Sequence, residues 1–468
     1  MKIGCIRWVD TFSVGLLLSV GLLLGVAATA QAKPAKVVLI GIDGVSLNVL
    51  EPLAKQGDTP NLQKLMQEGA RGHLDSYWPT RTPQVWTSAV TGKLPCQHGV
   101  WDHLANTWPN PPEVRTAEKR RVTVRDRKSQ ALWNLLDKKG LRSLVVGWMV
   151  TWPAEKLEHG VIAAPVELMG DKRQTTIKGS FYRDAENLVE PASLWPRAEK
   201  LIVEPHDITA LDMKPFVDIP PEGSPLYSLP MIEKYMYTYK WSLARARSVE
   251  KLTLGLLDDA KPDVVFSYFQ CPDTMGHRFW IFKESQQYIE QRLKELNLPT
   301  KYAAELKKHF GESFAACYRD VDERVGRILE ATRGPDTLVL VVSDHGFGHC
   351  ERPHPFKDEP YGGVHLDEGV ILAAGPGIAG NKMLEGASIL DITPTILDFL
   401  GEPVAADMRG KVIEGLWEPA TREGKKTATV PTYESSPQLE CPRPDGFPPR
   451  KVPMRHSADQ MDGRNPFE

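Results

Sequence analysis

Six acidic and imidazole side chains follow or adjoin apolar, strand-like stretches of this 468-residue chain. They are Asp43, Asp273, His277, Asp344, His345 and His365. Carboxylate oxygens and imidazole nitrogens are donors that zinc and similar divalent ions prefer in proteins. The ends of neighbouring parallel strands meet at one edge of a sheet, so side chains far apart in sequence can lie together there. The set therefore predicts a divalent-metal site, with zinc as the favoured ion.

Each of these residues also has an ordinary structural explanation. An aspartate directly after a strand, such as Asp43, is commonly a turn former or a helix cap. Asp273 and His277 are four residues apart and would share one face of a helix, as many surface pairs do. The combination favours the metal site, because solvation alone does not explain three such clusters after three apolar runs.

The segment from Tyr77 to Asp102 contains a candidate nucleophile. An extended stretch at 79–83 leads into residues 85–90, which can form a short helix that ends at Gly92. Thr82 would then lie at the helix N-terminus, where backbone N–H groups and the helix dipole favour an anion such as phosphate. The alternative is an ordinary helix-capping threonine.

The elements that would position these residues are strands alternating with helices. Short, continuous apolar runs are typical of buried parallel strands. These runs are 36–42, 143–148, 263–269, 337–343 and 369–374. Helical patterns occur at 60–69, 129–139, 318–332 and 393–400. The alternation predicts an α/β fold, with a doubly wound, mostly parallel sheet sandwiched by helices.

Two stretches depart from this alternation. Residues 153–232 are rich in proline and polar residues and lie between core strands, which predicts a cap inserted into a catalytic domain that spans 33–418. Residues 419–468 are proline-rich and charged without an apolar period. This composition predicts an extended or disordered C-terminal tail.

The first 32 residues have the pattern of a secretory signal peptide. Lys2 and Arg7 give a positive start, residues 14–28 are almost wholly apolar, and small residues at 30–32 suit a signal peptidase. The pattern predicts cleavage near Ala32 and a periplasmic or secreted protein; the alternative is an uncleaved N-terminal anchor. The cysteines left after cleavage are odd in number and allow at most two disulfides. They are Cys96, Cys271, Cys317, Cys350 and Cys441.

The charge balance of the chain limits its partners. The formal net charge is −3 and the pI is about 6.5. A chain with this balance has no whole-protein field that attracts nucleic acid or an anionic membrane. We therefore expect no nucleic acid polymer as a partner, and no membrane contact beyond the signal peptide.

The motifs occur in an order that resembles the alkaline phosphatase superfamily. The matching stretches are IDG at 42–44, TPQVWTSAVTG at 82–92, HGV at 98–100, CPDTMGH at 271–277, SDHG at 343–346, GVH at 363–365, DITPTI at 391–396 and DMRG at 407–410. The resemblance is greatest to the type I phosphodiesterase/nucleotide pyrophosphatase branch, especially its bacterial phosphohydrolases. It runs from about residue 36 to residue 414 and implies an alkaline phosphatase-like α/β fold.

The resemblance also implies a role for each candidate residue. One metal ion would be held by Asp43, Asp344, His345 and the Thr82 oxygen, and the other by Asp273, His277 and His365. Two such ions, about 4 Å apart, can stabilise the attacking and leaving oxygens of an in-line displacement. Thr82 would be the catalytic nucleophile and would form a covalent phosphothreonine intermediate, without a general-base side chain.

Two departures from related patterns bear on the substrate. Nucleotide pyrophosphatases usually have an asparagine a little after the nucleophile, and no asparagine occurs between Thr82 and Trp101. A nucleotide is therefore not implied as the substrate. Sulfatases have a cysteine or serine nucleophile followed four residues later by arginine. The matching positions here are Thr82 and Trp86, which argues against sulfate ester chemistry.

These observations predict a hydrolase of small phosphate esters that depends on two divalent metal ions, with diesters favoured over monoesters. One alternative is a phosphomonoesterase or phosphonate hydrolase on the same core. An alternative from another class is a non-catalytic, metal-containing binding protein, which would bind metal without turnover.

Overall fold

The computed structural model describes residues 36–77, 80–105, 121–166, 180–349 and 360–435. Among these residues, no helix has both the length and the apolar character that crossing a bilayer requires. The predicted signal peptide and the part of the tail beyond residue 435 lie outside the described ranges. Both stay predictions.

The strands of the described residues form a nine-stranded central sheet and two two-stranded ribbons. The strands are β1 (Val37–Ile42), β2 (Ala70–Asp75), β3 (Ser143–Val146), β4 (Val161–Ala163), β5 (Val189–Glu190), β6 (Val264–Phe269), β7 (Leu338–Val342), β8 (Gly346–Gly348), β9 (Val364–Leu366), β10 (Glu368–Ala374), β11 (Lys382–Ser388), β12 (Val404–Ala405) and β13 (Thr429–Val430). The central sheet has the order β11-β2-β10-β7-β1-β6-β3-β4-β5. Strand β8 pairs with β9, and β12 pairs with β13.

Most neighbouring strands of the central sheet are parallel, as predicted. Strand β1 is parallel to β6 and β7, β3 is parallel to β6 and β4, and β2 is parallel to β11. Strand β10 is antiparallel to both β7 and β2, and β5 is antiparallel to β4. The parallel trio β7-β1-β6 at the centre therefore presents three carboxyl ends at the same edge.

The α-helices of the described residues lie between and after these strands. They are α1 (Leu47–Gln56), α2 (Pro60–Glu68), α3 (Thr82–Thr91), α4 (Pro95–His98), α5 (Leu132–Asp137), α6 (Trp195–Ala198), α7 (Ala210–Met213), α8 (Ile232–Gly255), α9 (Leu257–Ala260), α10 (Cys271–Phe279), α11 (Gln286–Glu295), α12 (Ala303–Phe310), α13 (Ser313–Thr332), α14 (Ile392–Phe399) and α15 (Pro419–Arg422). The four helical patterns predicted from the sequence correspond to α2, α5, α13 and α14.

The central strand β1 shows why helices cover both faces of the sheet. All its residues are buried, and alternate side chains of a strand point to opposite faces. Val38 and Ile40 join one hydrophobic core with residues of α1, α2, α8 and α13. Val37 and Leu39 join a second core with residues of α3, α5 and α14. The predicted sheet sandwiched by helices is confirmed.

The predicted insertion and tail both contribute to this architecture. Strands β4 and β5 lie within 153–232 and extend the central sheet at one edge, before α8 begins at Ile232. In the described part of the tail, β13 pairs with β12, and Glu434 forms an ion pair of 3.0 Å with the buried Lys93. The proposed limits of the insertion and of the tail stay predictions.

A disulfide ties α10 to α13. Cys271, the first residue of α10, is bonded to Cys317 across a Cα–Cα distance of 5.7 Å. This defines one of the pairings that the sequence left open. Disulfides are typical of oxidising compartments, and the export of the chain stays a prediction.

Candidate metal and nucleophile site

The predicted metal ligands lie at the carboxyl ends of three neighbouring strands. Asp43 directly follows β1, Asp273 lies in the first turn of α10 after β6, and Asp344 and His345 follow β7. Strand β9 pairs with β8, which begins directly after His345, and it contains His365. The order β7-β1-β6 in the sheet therefore brings together side chains that are far apart in the sequence.

A glycine permits the close approach of β1 and α10. The Asp273 backbone N–H donates to the Asp43 carbonyl at 3.0 Å. Gly44 has a φ of 77°, in the left-handed region, and a Cβ there would lie 2.7 Å from the Asp273 Cα. No L side chain fits such a gap, so glycine is required for this turn.

One group of ligand-type atoms is formed by Asp273, His277 and His365. Asp273 and His277 share one face of α10, and Nε2 of His277 is 3.2 Å from Oδ1 of Asp273. Nε2 of His365 is 3.4 Å from the same oxygen and 2.8 Å from Nε2 of His277. This is the set that the resemblance assigned to one metal ion.

A second group of ligand-type atoms surrounds the fully buried His345. Its Nε2 is 3.2 Å from Oδ1 of Asp43, 3.6 Å from Oδ1 of Asp273 and 3.7 Å from Oδ2 of Asp344. The structure thus brings together the six carboxylate and imidazole side chains among the predicted ligands, and Asp273 faces both groups. The resemblance had assigned Asp273 to one ion only.

The chemistry of these donors fits divalent cations. Oδ1 of Asp43, both carboxylate oxygens of Asp344 and Nε2 of His345 are buried and have no hydrogen bond to any described residue. Buried polar atoms without partners are costly, and carboxylates packed within a few ångströms also repel one another. Divalent cations would give these atoms partners and offset the repulsion between the carboxylates, because carboxylate and imidazole are their usual ligands.

The pKa values show how strongly these groups interact. Burial opposes the charged form of His345, but the carboxylates of Asp344 and Asp43 outweigh this effect and raise its pKa to about 9. Burial and the adjacent Asp43 raise the pKa of Asp344 well above its usual range. Burial and the positive charge of His345 lower the pKa of His365 to about 4. The carboxylates therefore favour positively charged groups within the site.

The Nδ1 atoms of two imidazoles have backbone partners. Nδ1 of His365 lies 3.0 Å from the carbonyl oxygen of Thr80, and Nδ1 of His345 lies 3.0 Å from the carbonyl oxygen of Gly346. An Nδ1–H that donates to a carbonyl fixes the tautomer and leaves Nε2 as the metal ligand. The contact with Thr80 also ties the metal site to the segment that precedes Thr82.

Thr82 is the first residue of α3 and is buried. The preceding Arg81 is extended, and its carbonyl accepts the N–H of Val85 at 3.0 Å, which starts the helix. The first N–H groups of a helix have no intrahelical partner and can bind an anion. Trp86 packs against β1. Its ring is so close to Gly41 that a Cβ at that residue would lie 2.7 Å from it. This contact holds α3 beside the end of β1, so Thr82 has the predicted helix-terminal position.

Two supporting residues were not among the sequence candidates. Tyr268, in β6, donates a hydrogen bond to Oδ2 of Asp43. Ser343 accepts the N–H of Val45 at 2.8 Å and donates to the carbonyl of His345 at 2.9 Å. Ser343 was part of the SDHG motif. Tyr268 had no signal of its own, because a tyrosine within an apolar strand is common.

A buried histidine, His98, supports α3 through Ser88. Nδ1 of His98 accepts the N–H of Val100 at 3.1 Å, so Nε2 holds the proton and donates to Oγ of Ser88 at 2.9 Å. The same Oγ lies 2.6 Å from the Tyr77 hydroxyl. Burial and the charge of Arg127 lower the pKa of His98 to about 3.

His98 is expected to make the protein sensitive to acid. Its folded pKa of about 3 lies below the ordinary 6.5, so its contribution to stability is present above pH 6.5 and is lost as the pH falls towards 3. Between pH 7 and pH 5 this loss is about 2 kcal/mol. Urea unfolding at both pH values should show that His98→Gln loses less stability than the wild type over this interval. Equal losses in the two proteins would contradict the neutral, buried state of His98.

The fold and the site together define an α/β protein with a cluster of carboxylates and imidazoles that could hold metal ions, at the carboxyl edge of a mostly parallel sheet. The family model for type I phosphodiesterase/nucleotide pyrophosphatase matches residues 37–376. The chain belongs to this family, as its motifs predicted.

The comparisons with individual proteins give shorter or weaker similarities. The 2,3-bisphosphoglycerate-independent phosphoglycerate mutase 2 of Methanosarcina acetivorans is 36% identical over 92 residues, which is 19% of this chain and 17% of the mutase. Arylsulfatase K of Canis lupus familiaris is 30% identical over 120 residues, which is 24% of this chain and 22% of the sulfatase. The matches thus cover only about a fifth of either relative. The structure of human ectonucleotide pyrophosphatase/phosphodiesterase 5 is 12% identical, with a TM-score of 0.42 over 82% of this chain and 100% of that chain.

Proposed function

We propose that this protein hydrolyses small phosphate diesters with two divalent metal ions, preferably zinc, and with Thr82 as the nucleophile. The observation that supports this most directly is the gathering of three carboxylates and three imidazoles within a few ångströms. The helix that begins at Thr82 packs through Trp86 against Gly41, two residues before Asp43, and Nδ1 of His365 lies 3.0 Å from the carbonyl oxygen of Thr80.

The proposed ligand sets follow the two groups of atoms. Asp43, Asp344 and His345, together with the Thr82 hydroxyl, would hold one ion. Asp273, His277 and His365 would hold the other, with Asp273 facing both sets. When bound, such a pair of ions supplies Lewis-acid stabilisation to the attacking and leaving oxygens and makes an alkoxide accessible near neutral pH.

The chain's own groups would then act in two steps. In the first step, Oγ of Thr82 forms a bond to phosphorus while the bond to the leaving alcohol oxygen breaks, and the hydroxyl proton passes to that oxygen through solvent. In the second step, water attacks the phosphothreonine, releases the monoester product and returns a proton to Thr82. The N–H groups at the start of α3 would bind the phosphoryl oxygens as negative charge develops.

The surroundings of Thr82 favour phosphate over sulfate esters. Trp86 occupies the position at which the sulfatase pattern has an arginine. Its side chain is fully buried, and its ring lies 5.0 Å from that of Tyr268, so it belongs to the core. Arg81 directly precedes Thr82, is partly exposed and is held by Asp102 at 3.0 Å. It supplies a positive side chain next in the chain to the proposed nucleophile.

The proposal is tested with purified protein that begins at Lys33. Turnover of bis-p-nitrophenyl phosphate and of p-nitrophenyl phosphate would be measured with zinc and after chelation, and bound zinc would be counted by mass spectrometry. We expect two zinc ions per chain and zinc-dependent cleavage with a higher kcat/KM for the diester. A higher kcat/KM for the monoester would favour the phosphomonoesterase alternative. Bound zinc without turnover of any phosphate ester would favour the binding-protein alternative.

A further inference from the structure

We propose that Tyr268 is a positioning residue for the metal site: it fixes one carboxylate oxygen of Asp43 so that the other faces the metal ligands. The inference rests on the proposed metal site and adds a residue to it that does not touch substrate. Its basis is the arrangement of the two Asp43 oxygens and the packing around the tyrosine ring.

The two oxygens of Asp43 have different surroundings. Oδ2 accepts the hydrogen bond of the Tyr268 hydroxyl. Oδ1 lies 3.2 Å from Nε2 of His345 and has no hydrogen bond to any described residue. A carboxylate with one oxygen fixed has lost most of its rotational freedom, so less entropy is lost when the other oxygen binds a cation. Such hydrogen bonds behind a ligand also keep it in its binding orientation.

The tyrosine itself is held from several sides. Its side chain is fully buried. The ring of Trp86 contacts it edge-on at 5.0 Å between centroids. The buried guanidinium of Arg245 lies 5.0 Å from the ring centroid and is itself bonded to the side chain of Gln270. The hydroxyl therefore has a fixed position relative to the end of β1.

The same packing connects Asp43 to the nucleophile helix. Tyr268 pairs with Gly41 in the register of β6 and β1. A Cβ at Gly41 would lie 3.1 Å from the Tyr268 ring and 2.7 Å from the Trp86 ring. Trp86 belongs to α3, which begins at Thr82. Tyr268 therefore contacts both the metal ligand Asp43 and the helix of the nucleophile, and its effect should appear in metal affinity and in kcat.

The test compares Tyr268→Phe with Tyr239→Phe. Tyr239 is also fully buried, but its hydroxyl donates to the Ser313 carbonyl at 2.6 Å and lies 3.7 Å from Sγ of Cys317, rather than against a proposed metal ligand. Zinc affinity would be measured by competition with a chelator, and kcat and KM with saturating zinc. For Tyr268→Phe we expect zinc affinity about 10- to 100-fold weaker, which is the usual effect of removing such a partner. We also expect a lower kcat with little change in KM. Tyr239→Phe should match the wild type in zinc affinity and kcat.

Thermal unfolding of the zinc-free proteins separates positioning from a general loss of structure. A positioning role predicts that the two variants differ in zinc affinity while their zinc-free melting temperatures change by similar amounts. Equal zinc affinity in Tyr268→Phe and in a zinc-binding wild type would overturn this inference alone. A wild type that binds no divalent ion would overturn the proposed function, and this inference with it.

Discussion

Replacing Thr82 with alanine is expected to lower kcat/KM for the preferred ester by at least about 10³-fold, because the covalent route needs the hydroxyl oxygen. The group formed by Asp273, His277 and His365 does not include Thr82, so zinc binding at that group should persist. The measurement is steady-state kinetics with saturating zinc, together with the zinc content of the purified variant.

Two variants make the result specific to the nucleophile. Thr82→Ser keeps a hydroxyl at the start of α3 and should keep measurable activity. Thr87→Ala removes a hydroxyl from the same buried helix, where Oγ donates to the Pro83 carbonyl at 2.6 Å. It should affect stability more than kcat. Diester turnover in Thr82→Ala comparable to that of the wild type would show that another group attacks phosphorus.

The sequence predicted the central part of the fold and the clustering of the candidate ligands, because both depend on local patterns. Apolar runs at 36–42, 263–269 and 337–343 correspond to β1, β6 and β7 with boundaries that differ by one residue. Asp273 and His277 are four residues apart, and a helical turn has 3.6 residues, so both face the same side of α10. In each case the signal lies within a short window of the chain.

The remaining features depend on contacts between distant segments. The antiparallel direction of β10 is set by its neighbours β7 and β2, and an apolar run has the same pattern in either direction. Strand β2 contains charged residues and has exposed positions, so its apolar pattern is weak. The bond between Cys271 and Cys317 spans 46 residues, and counting cysteines does not indicate a pairing.

The site shows the same division between local and distant signals. The ligands were recognisable because carboxylates and imidazoles have few other reasons to cluster after buried strands. Tyr268 was not, since its role exists only through the register that places β6 beside β1. The position of Asp273 between both groups of ligand atoms is likewise a property of the folded chain.

Asp344→Asn is expected to abolish zinc-dependent turnover and yet stabilise the zinc-free protein. Asp344 is fully buried, and neither of its oxygens has a hydrogen bond to a described residue. Burial and the adjacent Asp43 raise its pKa well above the usual range, so its ionised form is unfavourable when no cation is bound. Removing that charge should stabilise the zinc-free protein by about 1–3 kcal/mol.

Zinc should reverse the order of stability, so that the wild type becomes more stable than Asp344→Asn. At 100 times its Kd, a bound ion stabilises the folded state by about 3 kcal/mol, and the variant should lack much of this gain because one anionic ligand is missing.

Asp322→Asn is the matched control. Asp322 is also fully buried, but it accepts the N–H of Leu62 at 2.7 Å and two hydrogen bonds from Asn61. Asp322→Asn should therefore lower stability, with or without zinc. Urea unfolding with zinc and with chelator checks all three proteins, and a zinc-free Asp344→Asn less stable than the wild type would show that Asp344 has a structural partner instead of a metal-binding role.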